Sequence, residues 1–421
     1  MTNLAYKTSP DPPVDKYLGS VVDLVRIPQI TLHAFCDTPE TIAVMERVVA
    51  DRRMSRAHAT VYPGGVAAAS ELYQKATSPN LVVIESRAAV GDLHAQLDIL
   101  ANVCGSGTKL VVIGHANDIV LYRELLARGV DEYVVAPIDT IAMIAVISRL
   151  YRNAGAKKLG RSVAFIGANG GVGSSTIARN VASTMARAYS SDVILADLDL
   201  PFGAGNLGFK PSPAQGIAQA LQDASRLDDV LLDRLLTKCE EHLSMLTAPG
   251  TLDHCYDLEE GAFDRVLDIA QSNVPFVVLD VPHVWTSWAK KTLLAADMVV
   301  ITAEPDLAGL RNAKNLIDLL KQARPNDEPP KLVLNQVGVP KRSEIEPGKF
   351  AAALQIEPIV CIPFEPLTLS TAANDGQMIA DASPKSAVAK SFSEIARVIA
   401  GRTAVNNGRK GRFAFRRLWR S

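Results

Sequence analysis

Short, nearly unbroken apolar runs alternate along this chain with segments whose apolar residues recur at helical spacing. In a first stretch, ITLHAF, AHATVY, LVVIES, KLVVIG and EYVVAP predict five strands. Strands that are apolar at successive positions suit a parallel sheet buried on both faces. PETIAVMERVVADRR and DIVLYRELLARG supply helices between them, the second carrying Ile119, Leu121, Leu125 and Leu126. A second stretch repeats the alternation with strands near SVAFIG, DVILAD, FVVLD, MVVIT, KLVLN and PIVCIP. The predicted fold class is α/β, with two doubly wound parallel-sheet domains in succession. Pro10, Pro12, Pro13 and Pro28 interrupt any periodicity in residues 1–28, which read as a flexible leader. The first domain then spans 29–151, a polar, basic linker 152–161, the second domain 162–400 and a tail 401–421.

Charge changes this picture at one end only. The chain's 44 Lys and Arg nearly cancel its 45 Asp and Glu, giving a net charge of -1. Residues 401–421 nevertheless hold seven of the cations and no acid, so the first 400 residues carry -8. An acidic body argues against nucleic acid as a partner. Within RKGRFAFRRLWR, the cations interleave with Phe413, Phe415, Leu418 and Trp419. That pattern fits an anionic membrane surface engaged through 409–420, with partner docking, DNA binding or a plain solvated end as alternatives. No apolar run of membrane-spanning length occurs, and the start of the chain is neither basic nor apolar, so a cytoplasmic location is expected. Cys36, Cys104, Cys239, Cys255 and Cys361 form no CxxC pair, which speaks against a disulfide framework or zinc module.

The chemistry concentrates in SVAFIGANGGVGSSTIARNVAS (162–183). A strand runs into a glycine-rich turn, and a helix begins near Ser174 with Ile177, Val181 and Ala182 on its inward face. Gly170, Gly171 and Gly173 let the backbone curl so that amides face a phosphate chain, and the helix N-terminus adds partial positive charge. Asn169, Gly170, Gly171, Val172, Gly173, Ser174, Ser175 and Thr176 are the candidate nucleotide contacts. Ser175 stands where a phosphate-loop hydroxyl holds magnesium. VILADLDLPFG ends in Asp197 and Asp199, and VPFVVLDVPHVW carries Asp280 at a strand end. Such acids converge on the carboxyl edge of a parallel sheet, where ligands bind. For any one of them alone, a solvated strand end explains the residue as well. Together they predict a nucleotide site with a divalent metal such as Mg2+, for which Ser175, Asp197 and Asp280 are the candidate ligands. Asn335, closing the strand of KLVLNQVG, offers an amide that both donates and accepts.

The glycine-rich string resembles the deviant Walker A motif, KGGxGK[ST], of the ParA/MinD superfamily. Asn169 stands where that family has the lysine that reaches the partner's phosphates across a dimer, and Ser174 where it has the lysine on the β- and γ-phosphates. With both cations replaced, the resemblance implies ATP binding with weak or absent ATPase activity. It also implies that Asp197 and Asp199 are switch acids, with Asp199 the catalytic candidate that orients water. Asp280 then takes the Walker B position, Asn335 contacts adenine, and Pro363 begins a further loop against the base.

The first domain resembles the response-regulator receiver, which is flavodoxin-like. Glu85 occupies the phosphoacceptor position, Gly114 and Ala136 replace the family's hydroxyl and lysine, and only Asp37 represents the acidic pair. No phosphoacceptor is therefore expected; the domain reads as an interaction or dimerisation module, with Glu85 as a standing charge the alternative. This order of a receiver-like domain and a MinD-like P-loop NTPase domain resembles the CpaE/TadZ-type pilus assembly proteins. LADLDLPFGAGNLGF and VLDVPHVWTSWAKKTLLAADMVVITAEPDLAGLRNAKNLIDLL carry that likeness furthest. It implies a homodimeric cytoplasmic scaffold that localises and assembles the Flp (type IVc, or Tad) pilus secretion machinery at a cell pole or the inner membrane. The secretion ATPase and inner-membrane platform proteins would be its partners. An ATPase switch cycling between monomer and dimer, or a ParA-like DNA-binding partition protein, are the alternatives.

Overall fold

The computed structural model describes residues 27–152, 159–203, 216–253 and 255–401. Two compact units emerge, one ending at residue 159 but including 320–328, the other made of 160–319 and the chain from 329 onward. Nearly all of the predicted leader, most of the linker and the basic tail lie outside the described residues.

The first unit holds β1 (Thr31–Cys36), β2 (His58–Pro63), β3 (Leu81–Glu85), β4 (Lys109–Gly114) and β5 (Glu132–Val135). They pair in the order β2-β1-β3-β4-β5, every pair parallel. This is one of the two common doubly wound orders, with a reversal that opens a crevice at the carboxyl edge. The apolar runs split between the two faces with period two. Leu32, Ala34, Leu81 and Val83 enter one core, while Phe35, Val82, Ile84 and Val112 enter the other. β3, buried at all five positions, serves both. The helix Pro39–Ala50 starts on Thr38, whose hydroxyl accepts from the Thr41 amide, and turns Met45 and Val48 inward. In the helix Ile119–Ala127, Leu121 and Leu125 are buried, whereas Ile119 in the first turn is exposed.

The second unit holds β6 (Arg161–Gly167), β7 (Val193–Asp197), β8 (Thr237–Glu240), β9 (Leu243–Leu246), β10 (Phe276–Val281), β11 (Met298–Ala303), β12 (Lys331–Val337) and β13 (Pro358–Pro363). Their order is β13-β12-β11-β6-β10-β7-β9-β8, parallel except for β8, which runs antiparallel to β9 at one edge. β8 and β9 add to the six strands expected from the apolar runs. Each has only four residues, and the polar TKCE of β8 carries no apolar run to announce it. On one face, Phe165, Ile177, Val181 and Met185 pack with Phe392 and Ile395 of the helix Ala387–Ile399. Each such buried side chain contributes roughly 1.5–3 kcal/mol. That packing fixes the helix Ser174–Tyr189, and with it the turn leading from β6.

Candidate nucleotide-binding site

β6 is central in its sheet, and its chain leaves the carboxyl edge at Gly167 to re-enter a helix at Ser174. Gly171 and Gly173 take φ of +79° and +88°, the left-handed region that costs glycine least. A Cβ on Gly173 would lie 2.6 Å from Asn335 Nδ2, so that position also lacks room for a side chain.

The turn is held from outside by its carbonyls. His283 Nδ1 donates to Gly167 O (3.0 Å), Asn312 Nδ2 to Ala168 O (3.1 Å) and Asn335 Nδ2 to Val172 O (2.7 Å). Gln336 Nε2 reaches Gly171 O at 3.4 Å. A trans peptide sets its N–H opposite its C=O, so the amides of Asn169, Val172 and Gly173 point away from these donors. That is the arrangement of an anion-binding nest at a helix N-terminus. Asn312 Nδ2 also donates to Asn169 Oδ1 at 2.5 Å. Gly170 and Gly171 are exposed at the rim, and Ser175 and Thr176 follow in the first helical turn.

The predicted acids gather beside this turn. Asp197 and Asp280 are paired across β7 and β10, and both are buried. Ser175 Oγ donates to Asp280 Oδ1 at 2.9 Å, and the Asp199 amide donates to Asp197 Oδ1 at 3.1 Å. Burial first, and then the Asp197 charge, push the Asp280 carboxyl up to about 7, against the opposing Ser175 hydrogen bond and the Arg179 charge. Burial likewise raises Asp199, against a hydrogen bond from the Phe202 amide. Among the described residues no group of three or more His, Cys, Asp or Glu side chains is placed to hold a metal ion. Mg2+ does not require one: it takes one or two carboxylates and fills its octahedron with water and phosphate oxygens. Two buried carboxylates and a hydroxyl, next to a phosphate nest, fit that ion.

Two candidate residues are placed in telling ways. Ser174, at the position of the family lysine, is buried and its hydroxyl has no hydrogen-bond partner. Asn335 is buried too, and its amide nitrogen is turned to the loop carbonyl. The sequence reading missed His283 and Asn312, which lie 116 and 144 positions from the loop atoms they hold. No motif spacing reaches that far; only the adjacency of β6 with β10 and β11 brings them in. A cleft of about 420 Å3 opens next to them, lined by Ile166, Ala168, Trp285 and Leu316 among others.

In the first unit, Glu85 closes β3 with its side chain fully buried. Its carboxylate accepts from the amides of Asp37 and Thr38, both at 2.8 Å, and from Thr38 Oγ1 (2.8 Å), Thr41 Oγ1 (2.9 Å) and His115 Nε2 (3.0 Å). Burial raises the carboxyl, but hydrogen bonds from Thr38, Thr41 and His115 outweigh it and hold Glu85 below the usual carboxylate range. Asp37 is raised by burial and by the Glu85 charge. A Cβ on Gly114 would lie 2.1 Å from the Tyr133 hydroxyl, so a phenol fills the space where receivers carry a hydroxyl residue.

A family described as an AAA domain matches residues 160–332. A crystallised pilus assembly protein CpaE from Caulobacter crescentus CB15 is 49% identical over 30% of this chain and 97% of its own, with a TM-score of 0.30. The septum site-determining protein MinD from Pyrococcus horikoshii OT3, complexed with Mg-ADP, is 18% identical over 57% of this chain and 96% of its own. Its TM-score of 0.51 makes it a likeness of fold. The MinD of Bacillus subtilis strain 168 is 24% identical over 183 residues, 42% of this chain. The match spans 66% of that relative's length.

Proposed function

We propose, from the premise that this chain belongs to the CpaE pilus assembly family, that it is a cytoplasmic scaffold which binds ATP with Mg2+ and turns it over feebly or not at all. In that role it localises and assembles the Flp/Tad secretion machinery as a homodimer. The observation that carries this reading is the uncharged loop: Ser174 ends in a buried, unpartnered hydroxyl and Asn169 in an amide bound to its own chain. Loop amides would hold the phosphates, while Ser175, Asp197 and Asp280 would hold Mg2+. The metal supplies neutralising charge at the phosphates. Asp199 would orient water, but no lysine at 169 or 174 meets the charge that spreads over the transferring phosphoryl group. Binding therefore outlasts catalysis.

No described helix is long and apolar enough to cross a membrane. A peripheral position at the inner membrane or pole would fall to residues 409–420, with the secretion ATPase and platform proteins as partners.

Calorimetric titration with Mg–ATP, followed by a phosphate-release assay, tests the reading. Uptake without steady release is the expected result. Steady release that disappears in Asp199→Ala would instead establish a working ATPase, and the absence of uptake would remove the nucleotide site.

A further inference from the structure

Asn335 and Gln336 are consecutive residues of β12, yet both donate to the glycine-rich turn, Asn335 Nδ2 to Val172 O at 2.7 Å and Gln336 Nε2 to Gly171 O at 3.4 Å. Successive side chains of a regular strand point to opposite faces. A bulge reconciles the two contacts. Leu334 pairs with Cys361 and Val337 with Pro363, so two residues of β12 stand against one of β13. Gln336, inside that bulge, takes φ +55°, the left-handed region that a residue with a Cβ rarely enters unaided. Bulges next to functional sites re-aim side chains in this way.

The constraint comes from Arg342. Its Nη2 donates to Gln336 O, and its Nη1 donates to Glu304 Oε2 at 2.6 Å, on the residue that follows β11. Its Nε and Nη2 also reach Glu344 Oε1, at 3.2 and 3.0 Å. The same Glu344 carboxylate accepts from the Gly338 amide (3.0 Å) and the Val339 amide (2.9 Å). One guanidinium thus ties the bulge to the end of β11 and to the loop that leaves β12, through a planar fork that a lysine does not reproduce. We propose that Arg342 is a positioning residue of the candidate nucleotide site: by fixing Gln336 in its left-handed conformation it aims Asn335 and Gln336 at the turn, and through them holds the phosphate-binding amides in place. Its consequence for Mg–ATP rests on the reading of residues 169–176 as a nucleotide site.

The test compares the full chain as wild type, Arg342→Ala, Arg342→Lys, Gln336→Gly and the double variant Arg342→Ala with Gln336→Gly. Glycine takes a left-handed φ unaided, so at 336 it should restore what Arg342→Ala loses. Hydrogen exchange in nucleotide-free protein follows two amides that bracket the turn, Ala168, bound to Thr302 O at 2.7 Å, and Ile177, bound to Gly173 O at 3.0 Å. The Val278 and Leu279 amides of β10 are the reference for the second unit as a whole. Mg–ATP affinity is measured by calorimetry.

Arg342→Ala should speed exchange at Ala168 and Ile177 about tenfold relative to β10 and weaken Mg–ATP binding about tenfold, the size expected for losing one hydrogen bond. Arg342→Lys should behave alike, because it keeps the charge and loses the fork. The double variant should match Gln336→Gly alone in both measurements and exchange more slowly than Arg342→Ala. Wild-type rates in Arg342→Ala overturn the proposal, as does an acceleration shared equally by β10, which marks a general loss of stability. A double variant as fast as Arg342→Ala, or full retention of the wild-type behaviour by lysine, overturns it too. A wild type that takes up no Mg–ATP defeats the reading of the nucleotide site instead. The exchange rates then still decide the positioning role, by the same comparisons.

Discussion

Asp280→Asn removes the most perturbed carboxyl of the site while keeping its shape and an acceptor for Ser175 Oγ. Asp280 titrates at about 7 in the folded chain against an ordinary 3.8, a difference of about 4 kcal/mol between its two protonation states. The folded protein thus keeps a proton between these values that the unfolded chain has released. Stability then falls as pH rises from about 4 to about 7, and the penalty is complete above 7. The variant escapes it, and the charge-assisted hydrogen bond from Ser175 is already counted in that net shift. The balance is a variant more stable than wild type by about 4 kcal/mol at pH 8, and equal to it near pH 4. Tryptophan fluorescence isolates the relevant unit, because Trp285 and Trp288 lie in the second unit, Trp419 in the tail and none in the first. Trp288 is buried with its ring 5.0 Å from that of Phe263, so it reports unfolding there. Urea melts from pH 4 to pH 8 in a chelator give the difference curve. A difference that does not change with pH would refute the reasoning. Mg–ATP should raise the stability of the wild type and do little for the variant.

Glu85→Gln should weaken the first unit by about 2–4 kcal/mol at pH 7, because the bonds from the Asp37 and Thr38 amides, Thr41 and His115 lose their charged acceptor. Since the folded value is depressed, that stability is present above the ordinary 4.5 and lost as pH falls through the folded value; hydrogen exchange in β1 and β3 reads it. Gly173→Ala meets both φ +88° and the Asn335 amide, and should cost more than tenfold in Mg–ATP affinity by titration while the far-ultraviolet spectrum stays that of the wild type. Deleting 401–421 removes seven cations worth about 1 kcal/mol each at an anionic surface, so flotation with anionic vesicles should fall; unchanged flotation denies the tail a targeting role.

The sheets were legible where burial on both faces forced an unbroken apolar run, as in LVVIE of β3 and VILAD of β7. The candidate site was legible where chemistry clusters in sequence, from Asn169 to Thr176, or sits at a strand end, as Asp197 and Asp280 do. What escaped depends on neighbours set by topology. β8 forms because β9 offers it an edge, not because TKCE prefers a strand. His283 and Asn312 are ordinary loop and helix residues until β10 and β11 flank β6. The hydrogen bond from Asn335 to Val172 O was beyond the sequence for the same reason: a motif names a residue, while its partner is named by strand order.

A common physical theme joins the two units. In each, a doubly wound sheet brings a strand end to the N-terminus of a helix, where the dipole and free amides favour an anion. In the first unit, the chain supplies that anion itself: the Glu85 carboxylate accepts from the Asp37 and Thr38 amides ahead of the helix Pro39–Ala50. In the second, the amides of the loop are left open, while the side chains that would answer a phosphate's charge are a serine without a partner and an asparagine bound to Asn312. One edge is closed by an internal charge and the other stays open with no lysine in its loop. A loop without those cations holds a ligand through its amides, whose contacts change little between ground state and transition state. Binding of that kind stabilises an assembly by mass action and leaves the barrier to hydrolysis where it was.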